Sequence, residues 1–235
     1  MPCYMPEPDW PDKLLDYYRA IAEKLSKTEL FVVIVNDGTP GMVAETDLQK
    51  LRNGIKNFSY YSYTENRGKG FAIRYGIARV VTTAAVYTDL DLPYTADSIV
   101  DVATLLADHD VVIGIKSQSY YSKVPVLRKI ISKWLRVMIG LCFPGIITTD
   151  TQCGLKGVKG RAKDMFMKTR VNDFLFDLEF IAGISPEQDL DIVLQEIHLR
   201  ENVTFGRVAP STVFRELYNF LRILFSRRSL SSRNQ

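Results

Sequence analysis

Ala84-Ala-Val-Tyr87, followed at once by Thr88-Asp-Leu-Asp91 and Leu92-Pro93, decides how this chain folds. The apolar run makes a short buried strand. Two carboxylates two residues apart mark its end, and the proline prevents its continuation. Acids at the C-terminal end of a buried strand suit a hard divalent cation, Mg2+ or Mn2+, whose free positions take phosphate oxygens.

Upstream, Leu30 to Val35 is a continuous β-branched run, as expected of a strand buried on both faces, and it leads into Asn36-Asp37-Gly-Thr39. Between the two acidic turns lies Asn66-Arg-Gly-Lys-Gly70, a cationic, glycine-rich segment that opens a helix. Asp12 to Leu25, Asp47 to Asn53, Gly70 to Val81 and Ala96 to Ala107 carry helical periodicity. Phe58 to Tyr63 and Asp110 to Ile115 read as strands. Strands alternating with helices predict an α/β fold, a mainly parallel central sheet flanked by helices. Further on, Val126 to Leu141 is an amphipathic helix with cations between its apolar positions. Thr149 to Val158 is a loop and short strand, Asp173 to Ile181 the start of a helix, Asp191 to Leu199 an alternating strand, and Thr212 to Phe225 a last amphipathic helix. Ser226 to Gln235 is expected to be disordered.

The chain has 235 residues, 46% of them hydrophobic and 24% charged, which is ordinary for a globular protein. A net charge of +3 is too small to imply nucleic acid. Its distribution is uneven: Arg128, Lys129, Lys133, Arg136, Arg215, Arg222, Arg227, Arg228 and Arg233 all fall in the second half, compatible with an anionic partner or a membrane surface. Three cysteines form no CxxC and no even framework, so reduced thiols in the cytoplasm are expected. Two histidines leave little for a histidine-rich metal site. No secretory pattern opens the sequence, and no run reaches the roughly 18 apolar residues of a membrane span. Membrane contact, if made, is expected to be peripheral, at the cytoplasmic face.

Each constellation has a plainer explanation. Asp37 can accept hydrogen bonds from a base or ribose where α/β sheets bind ligands, but Asn-Asp-Gly-Thr is also a common acidic turn. Arg67 and Lys69 can meet phosphates, or form a solvated basic cap. Asp-x-Asp is frequent in exposed loops. The order of all three within one alternating half favours a nucleotide diphosphate site; neither a Walker motif nor a dinucleotide fingerprint is present. Arg128 and Ser132 share a helical face and can hold a phosphate monoester, although cations on such a helix also serve packing or a membrane surface. Asp150-Thr-Gln-Cys-Gly154 and Asp177 can supply polar groups around a sugar. Asp177 and Glu179 are equally ordinary helix N-terminal acids.

Val35-Asn-Asp37-Gly-Thr39, Asn66-Arg-Gly-Lys-Gly70, Asp89-Leu-Asp91-Leu-Pro93 and Asp150-Thr-Gln-Cys-Gly-Leu-Lys156, in that order, resemble family 2 glycosyltransferases of the GT-A fold, in particular the polyprenyl-phosphate sugar transferases. The resemblance runs from Pro2 to about Ser211. It implies a catalytic domain over residues 1–211, with 212–235 an appended helix and basic tail. It implies that Asp37 binds the nucleoside, that Arg67 and Lys69 lie near the diphosphate, and that Asp89 and Asp91 hold Mg2+ or Mn2+ and the donor. Lys116, which stands where the family often has arginine, would meet the acceptor phosphate with Arg128, Ser132 and Arg207. Gln152 and Asp177 would line the sugar site. Met1 falls where the family's first strand normally ends, so that strand is expected to be truncated. The implied reaction is an inverting hexosyl transfer from a nucleotide sugar, UDP-glucose ahead of GDP-mannose, to a polyprenyl phosphate. Such an acceptor is already anionic and needs no strong base; for a hydroxyl acceptor Asp177 or Asp150 is the candidate base. The alternatives are a transferase acting on a saccharide hydroxyl and a non-catalytic nucleotide-sugar-binding protein.

Overall fold

The computed structural model describes residues 1–117, 126–201, 203 and 210–231; side chains are described within these bounds except at 126–128, 210, 211 and 227–231. A short sheet comes first. β1 (Pro2–Cys3) pairs in parallel with β2 (Val32–Asp37), and β2 with β3 (Phe58–Tyr63). The register sets Asp37 opposite Tyr63 and Cys3 opposite Asn36, so the polar ends of the strands share one edge. The β-branched run behaves as its composition demands: Ile34 and Val35 are fully enclosed.

The second sheet has the order β4-β6-β5-β7: β4 (Ala84–Tyr87), β5 (Val111–Lys116), β6 (Lys156–Lys159) and β7 (Ile192–Ile197). β5 and β7 are parallel, whereas β6 runs antiparallel to both of its neighbours. That reversal positions the site. An antiparallel strand begins at the edge where its neighbours end, so the loop before β6 lies beside the turn after β4 and the end of β5.

Helices cover both faces. α1 (Trp10–Lys24), α2 (Glu45–Gly54) and α4 (Ala96–Leu105) pack on one side, with Leu14, Leu51 and Val102 in a core that includes Ile34 and Val112. α3 (Lys69–Ile77), α5 (Val126–Cys142), α6 (Gly160–Met167), α7 (Phe176–Ile184) and α8 (Pro210–Ser231) belong to the other side. There Ile73, Ile139, Phe166, Phe180, Phe220 and Ile223 meet Val111 and Ile113. β5 thus alternates its side chains between the two cores, as a pleated strand must.

Two elements depart from the sequence expectation. α6 was not legible because only Ala162 and Phe166 are buried along its polar length. α8 continues through Ser231, into the stretch expected to be disordered. No described helix is long and apolar enough to cross a membrane. The three cysteines are free; burial pushes the Cys3 thiol up to about 12.

Candidate functional site

The Asn66–Gly70 turn is clamped from two sides. Asp37 is almost fully buried, and its two carboxylate oxygens accept the backbone N–H groups of Arg67 at 2.7 Å and Gly68 at 3.0 Å. From the opposite side the Asn172 carbonyl accepts Gly70 N–H at 2.6 Å. Gly68 has φ +95°, and a Cβ there would lie 2.5 Å from the Asn172 oxygen, so the glycine is required twice over. The structure therefore shows Asp37 holding the turn. Arg67 stacks its guanidinium 3.8 Å from the centre of the Phe71 ring, and Lys69 points inward.

Lys69 Nζ lies 2.5 Å from Asp89 Oδ1, with side chains 17% and 32% exposed. Burial acts to strip the Lys69 proton, but the charges of Asp89, Asp177 and Asp91 together outweigh it and hold the ammonium above the usual lysine range. Leu90 and Leu92 are buried anchors of the acidic turn, so Asp91 between them faces solvent, while Asp89 turns toward Lys69. Partial desolvation, then the charge of Asp89, pushes Asp91 up to about 6, against the pull of Lys69 and Arg200. Such a reluctant acid, beside a second carboxylate, gains from a bound cation. Two carboxylate ligands completed by water and phosphate oxygens are a fitting set for Mg2+ or Mn2+. Among the described residues no cluster of three or more metal-ligating side chains occurs.

The loop before β6 forms the facing wall. Gly154 N–H is held at 2.8 Å by the buried Tyr94 hydroxyl, and a Cβ on Gly154 would sit 2.6 Å from Asp89 Oδ2. Only glycine lets the backbone come this near the acidic pair. Asp150 accepts Lys116 N–H at 2.8 Å, and Lys116 Nζ lies 3.2 Å from its other oxygen. These side chains are 6% and 12% exposed, so Lys116 is an internal ion-pair partner of Asp150. Gln152 is partly exposed and donates to Thr151 Oγ1 at 3.3 Å. Asp177 lies beneath the site: it accepts the Tyr87 hydroxyl at 2.7 Å and stands 3.1 Å from Lys156 Nζ. Burial raises Asp177 above the usual carboxylate range, opposed by Lys156 and Lys69.

The turn thus brings Lys69 to Asp89, Asp91 and Gly154, with Asp177 behind them, while Arg67 stacks on Phe71 and Asp37 holds the backbone. Ser132 lies on α5, partly exposed. The Arg128 side chain and Arg207 lie outside the described residues. Three contributors escaped the sequence reading. Lys156 is fully buried and donates to the carbonyls of Thr151 at 3.1 Å and of Cys153. Tyr94 holds Gly154. Arg200 donates to the Asp91 carbonyl at 2.8 Å, since β7 ends beside the acidic turn. Lys156 closes the Asp150–Lys156 motif, but the motif does not tell a buried lysine from a solvated one.

Among the described residues, nothing covers an apolar stripe on each of α5 and α8. On α5 it comprises Ile130, Trp134, Val137 and Leu141; on α8, Phe214, Leu217, Tyr218, Leu221 and Phe225. The α8 stripe lies opposite Asn219, Phe220 and Ile223, which face the core.

No protein-family model matches the chain. In sequence it is 29% identical over 193 residues to a dolichyl-phosphate beta-glucosyltransferase, ALG5A, of Trichomonas vaginalis. That match covers 77% of this chain and 59% of the relative, so the chain spans well under two thirds of the relative's length. In structure it matches the mannosyltransferase PcManGT of Pyrobaculum calidifontis, solved with GDP-Man and Mn2+, at a TM-score of 0.50 and 18% identity, over 83% of this chain and 54% of that one. S. aureus TarS 1-349 in complex with UDP-GlcNAc aligns over 95% of this chain and 63% of its own, at 16% identity and a TM-score of 0.49. The match to PcManGT gives the chain the GT-A fold, and in sequence it resembles the polyprenyl-phosphate sugar transferases of family 2.

Proposed function

We propose that the chain is an inverting hexosyltransferase that moves glucose from UDP-glucose to a polyprenyl phosphate at a membrane surface. The observation that carries this is the convergence of Lys69, Asp89 and the Cβ-less Gly154 at one strand edge, on a turn clamped by Asp37. The sequence similarity to a dolichyl-phosphate beta-glucosyltransferase supports the choice of donor and acceptor.

Asp89 and Asp91 would hold a divalent cation, which when bound supplies positive charge to the donor diphosphate. Lys69 and Arg67 add fixed positive charge where the leaving nucleoside diphosphate becomes more negative, and the clamped turn keeps them in place before reaction. An acceptor phosphate oxygen attacks the anomeric carbon from the face opposite the diphosphate. The new phosphate–carbon ester bond forms as the carbon–oxygen bond to UDP breaks, and configuration inverts. The attacking oxygen is already an anion, so no proton has to be removed. This agrees with Asp177 and Asp150 being occupied by Lys156, Tyr87 and Lys116.

The uncovered stripes of α5 and α8 give the lipid reading a surface. With Lys129, Lys133 and Arg222 on the same helices, they suit the boundary between head groups and acyl chains of an anionic bilayer. The direct test supplies radiolabelled UDP-glucose, Mn2+ and a polyprenyl phosphate and follows label into chloroform-soluble, mild-acid-labile product. Transfer abolished by Asp91→Ala supports the assignment. Label that appears only in water-soluble saccharide overturns it.

A further inference from the structure

The donor turn is held from behind by a helix that arrives last in the chain. α7 begins at Leu175-Phe176 with no side-chain cap of its own. The backbone N–H groups at its entry, of Leu175 and of Phe174 before it, are held instead from α8, 41 residues away for the nearer one. Glu216 accepts Leu175 N–H at 3.0 Å and Phe174 N–H at 3.2 Å. One turn further along α8, Asn219 donates to Asp173 Oδ2 at 3.3 Å, and Arg215 Nε lies 3.1 Å from Asp173 Oδ1.

The segment gripped in this way is the one that grips the donor turn. Asn172, immediately before Asp173, offers its carbonyl to Gly70 and Phe71 N–H, and its side chain bonds Arg74 of α3. Arg74 also donates to Val171 O at 2.9 Å. Phe176, immediately after, fills the space beside Gly70, where a Cβ would lie 2.6 Å from the Phe176 Cβ. Residues 172–176 are therefore wedged between α8 on one side and the Gly68–Gly70 backbone on the other. Nothing in the chemistry of the acidic pair requires a carboxylate at 216. Its burial, which raises Glu216 above the usual carboxylate range, is offset by the two backbone N–H bonds.

We propose that Glu216, assisted by Asn219, is a positioning residue of the donor site: it fixes the 172–176 segment, which sets the Gly68–Gly70 turn and so the approach of Lys69 to Asp89. The inference rests on the assignment of that turn to the nucleotide-sugar diphosphate. α8 then does more than close the core, because its inner face governs donor affinity. Partners that orient a ligand-contacting group cost roughly 10–100-fold when removed.

The test measures UDP-glucose affinity in the presence of Mn2+ by calorimetric titration of the full chain, with melting temperature recorded for each variant. Glu216→Ala is expected to weaken binding about tenfold. Glu216→Gln, whose amide oxygen still accepts one of the two N–H groups, is expected to fall between Glu216→Ala and the unaltered chain. Ile223→Val, a buried α8 change away from the latch, lowers the melting temperature but leaves affinity within about twofold. Unaltered affinity in Glu216→Ala, or an equal loss in Ile223→Val, overturns the positioning role. If Glu216→Ala does not fold, Glu216→Gln decides: affinity equal to that of the unaltered chain overturns it. An unaltered chain that binds neither UDP-glucose nor GDP-mannose overturns the donor assignment itself, and the inference with it.

Discussion

Lys156 is enclosed on all sides, and its ammonium has three partners: the carbonyls of Thr151 and Cys153 and the carboxylate of Asp177. It pins the loop that carries Gly154 to the helix that carries Asp177. Lys156→Met keeps the stem and removes the charge, leaving a buried carboxylate with only Tyr87 and two carbonyls without their donor. The expected loss is about 3–5 kcal/mol in urea denaturation, with part recovered in Lys156→Met/Asp177→Asn, because the second change removes the stranded charge. Gly154→Ala should act differently. Its Cβ would meet Asp89 Oδ2 at 2.6 Å, so Mn2+ affinity should fall well before stability does, as read by titration and thermal melting side by side. Asp91 gives the pH dependence. Its carboxyl, pushed up to about 6, keeps a proton that competes with a cation. Mn2+ affinity should be level above about pH 7 and fall about tenfold per pH unit below about 6, a slope that Asp91→Asn abolishes. For the metal-free fold the sign is the reverse: a carboxylic acid raised in the folded state costs stability as pH rises through the window from its ordinary value to about 6. The convergence of the acidic pair and the glycine-rich turn was legible because strand ends and glycine spacing are local signals. The ion pair of Lys116 was not, since its partner Asp150 is 34 residues away and an exposed cation and a buried ion pair look alike in sequence. The place of Asp37 at the end of β2 was legible, but not the two N–H groups that occupy it.

At the scale of elements, β2, β4 and β5 were legible as apolar runs bounded by acids and glycines, β3 by its aromatic residues and β7 by its alternation. The antiparallel sense of β6 was not, since four residues carry no information about direction. α8 shows both outcomes. Its amphipathic core was clear from Thr212 to Phe225, yet the helix continues to Ser231 through residues whose composition resembles a solvated tail. Its outward stripe of Phe214, Leu217, Tyr218, Leu221 and Phe225 has no covering element among the described residues. Leu221→Glu would place a negative charge in the middle of that stripe. It should reduce flotation with anionic vesicles severalfold while changing folding stability by no more than about 0.5 kcal/mol, as expected of an exposed site. An equal flotation profile for Leu221→Glu and the unaltered chain would remove α8 from the membrane surface.

Across the whole molecule, the site is divided between two sheets that share a core, Ile34 of the first lying in the same cluster as Val112 and Ile197 of the second. The first sheet contributes Asp37 and, through it, the Asn66–Gly70 turn; the second contributes Asp89, Asp91 and, through β6, Gly154 and Lys156. The ion pair of Lys69 with Asp89 crosses from one half to the other. A nucleotide sugar seated there must therefore load both halves together, and its binding energy must appear as global stabilisation. At a hundredfold excess over Kd the gain is about 2.7 kcal/mol. Hydrogen exchange resolves where it acts. UDP-glucose with Mn2+ should slow exchange at once in residues 66–71, at the acidic turn 89–92 and in the loop 151–155. Asp89→Asn should abolish protection in all three, because it removes the negative charge that pairs with Lys69 as well as half of the acidic pair. Protection confined to residues 66–71 would mean that the ligand engages the first sheet alone, and a transferase mechanism that needs the acidic pair would then have no structural footing.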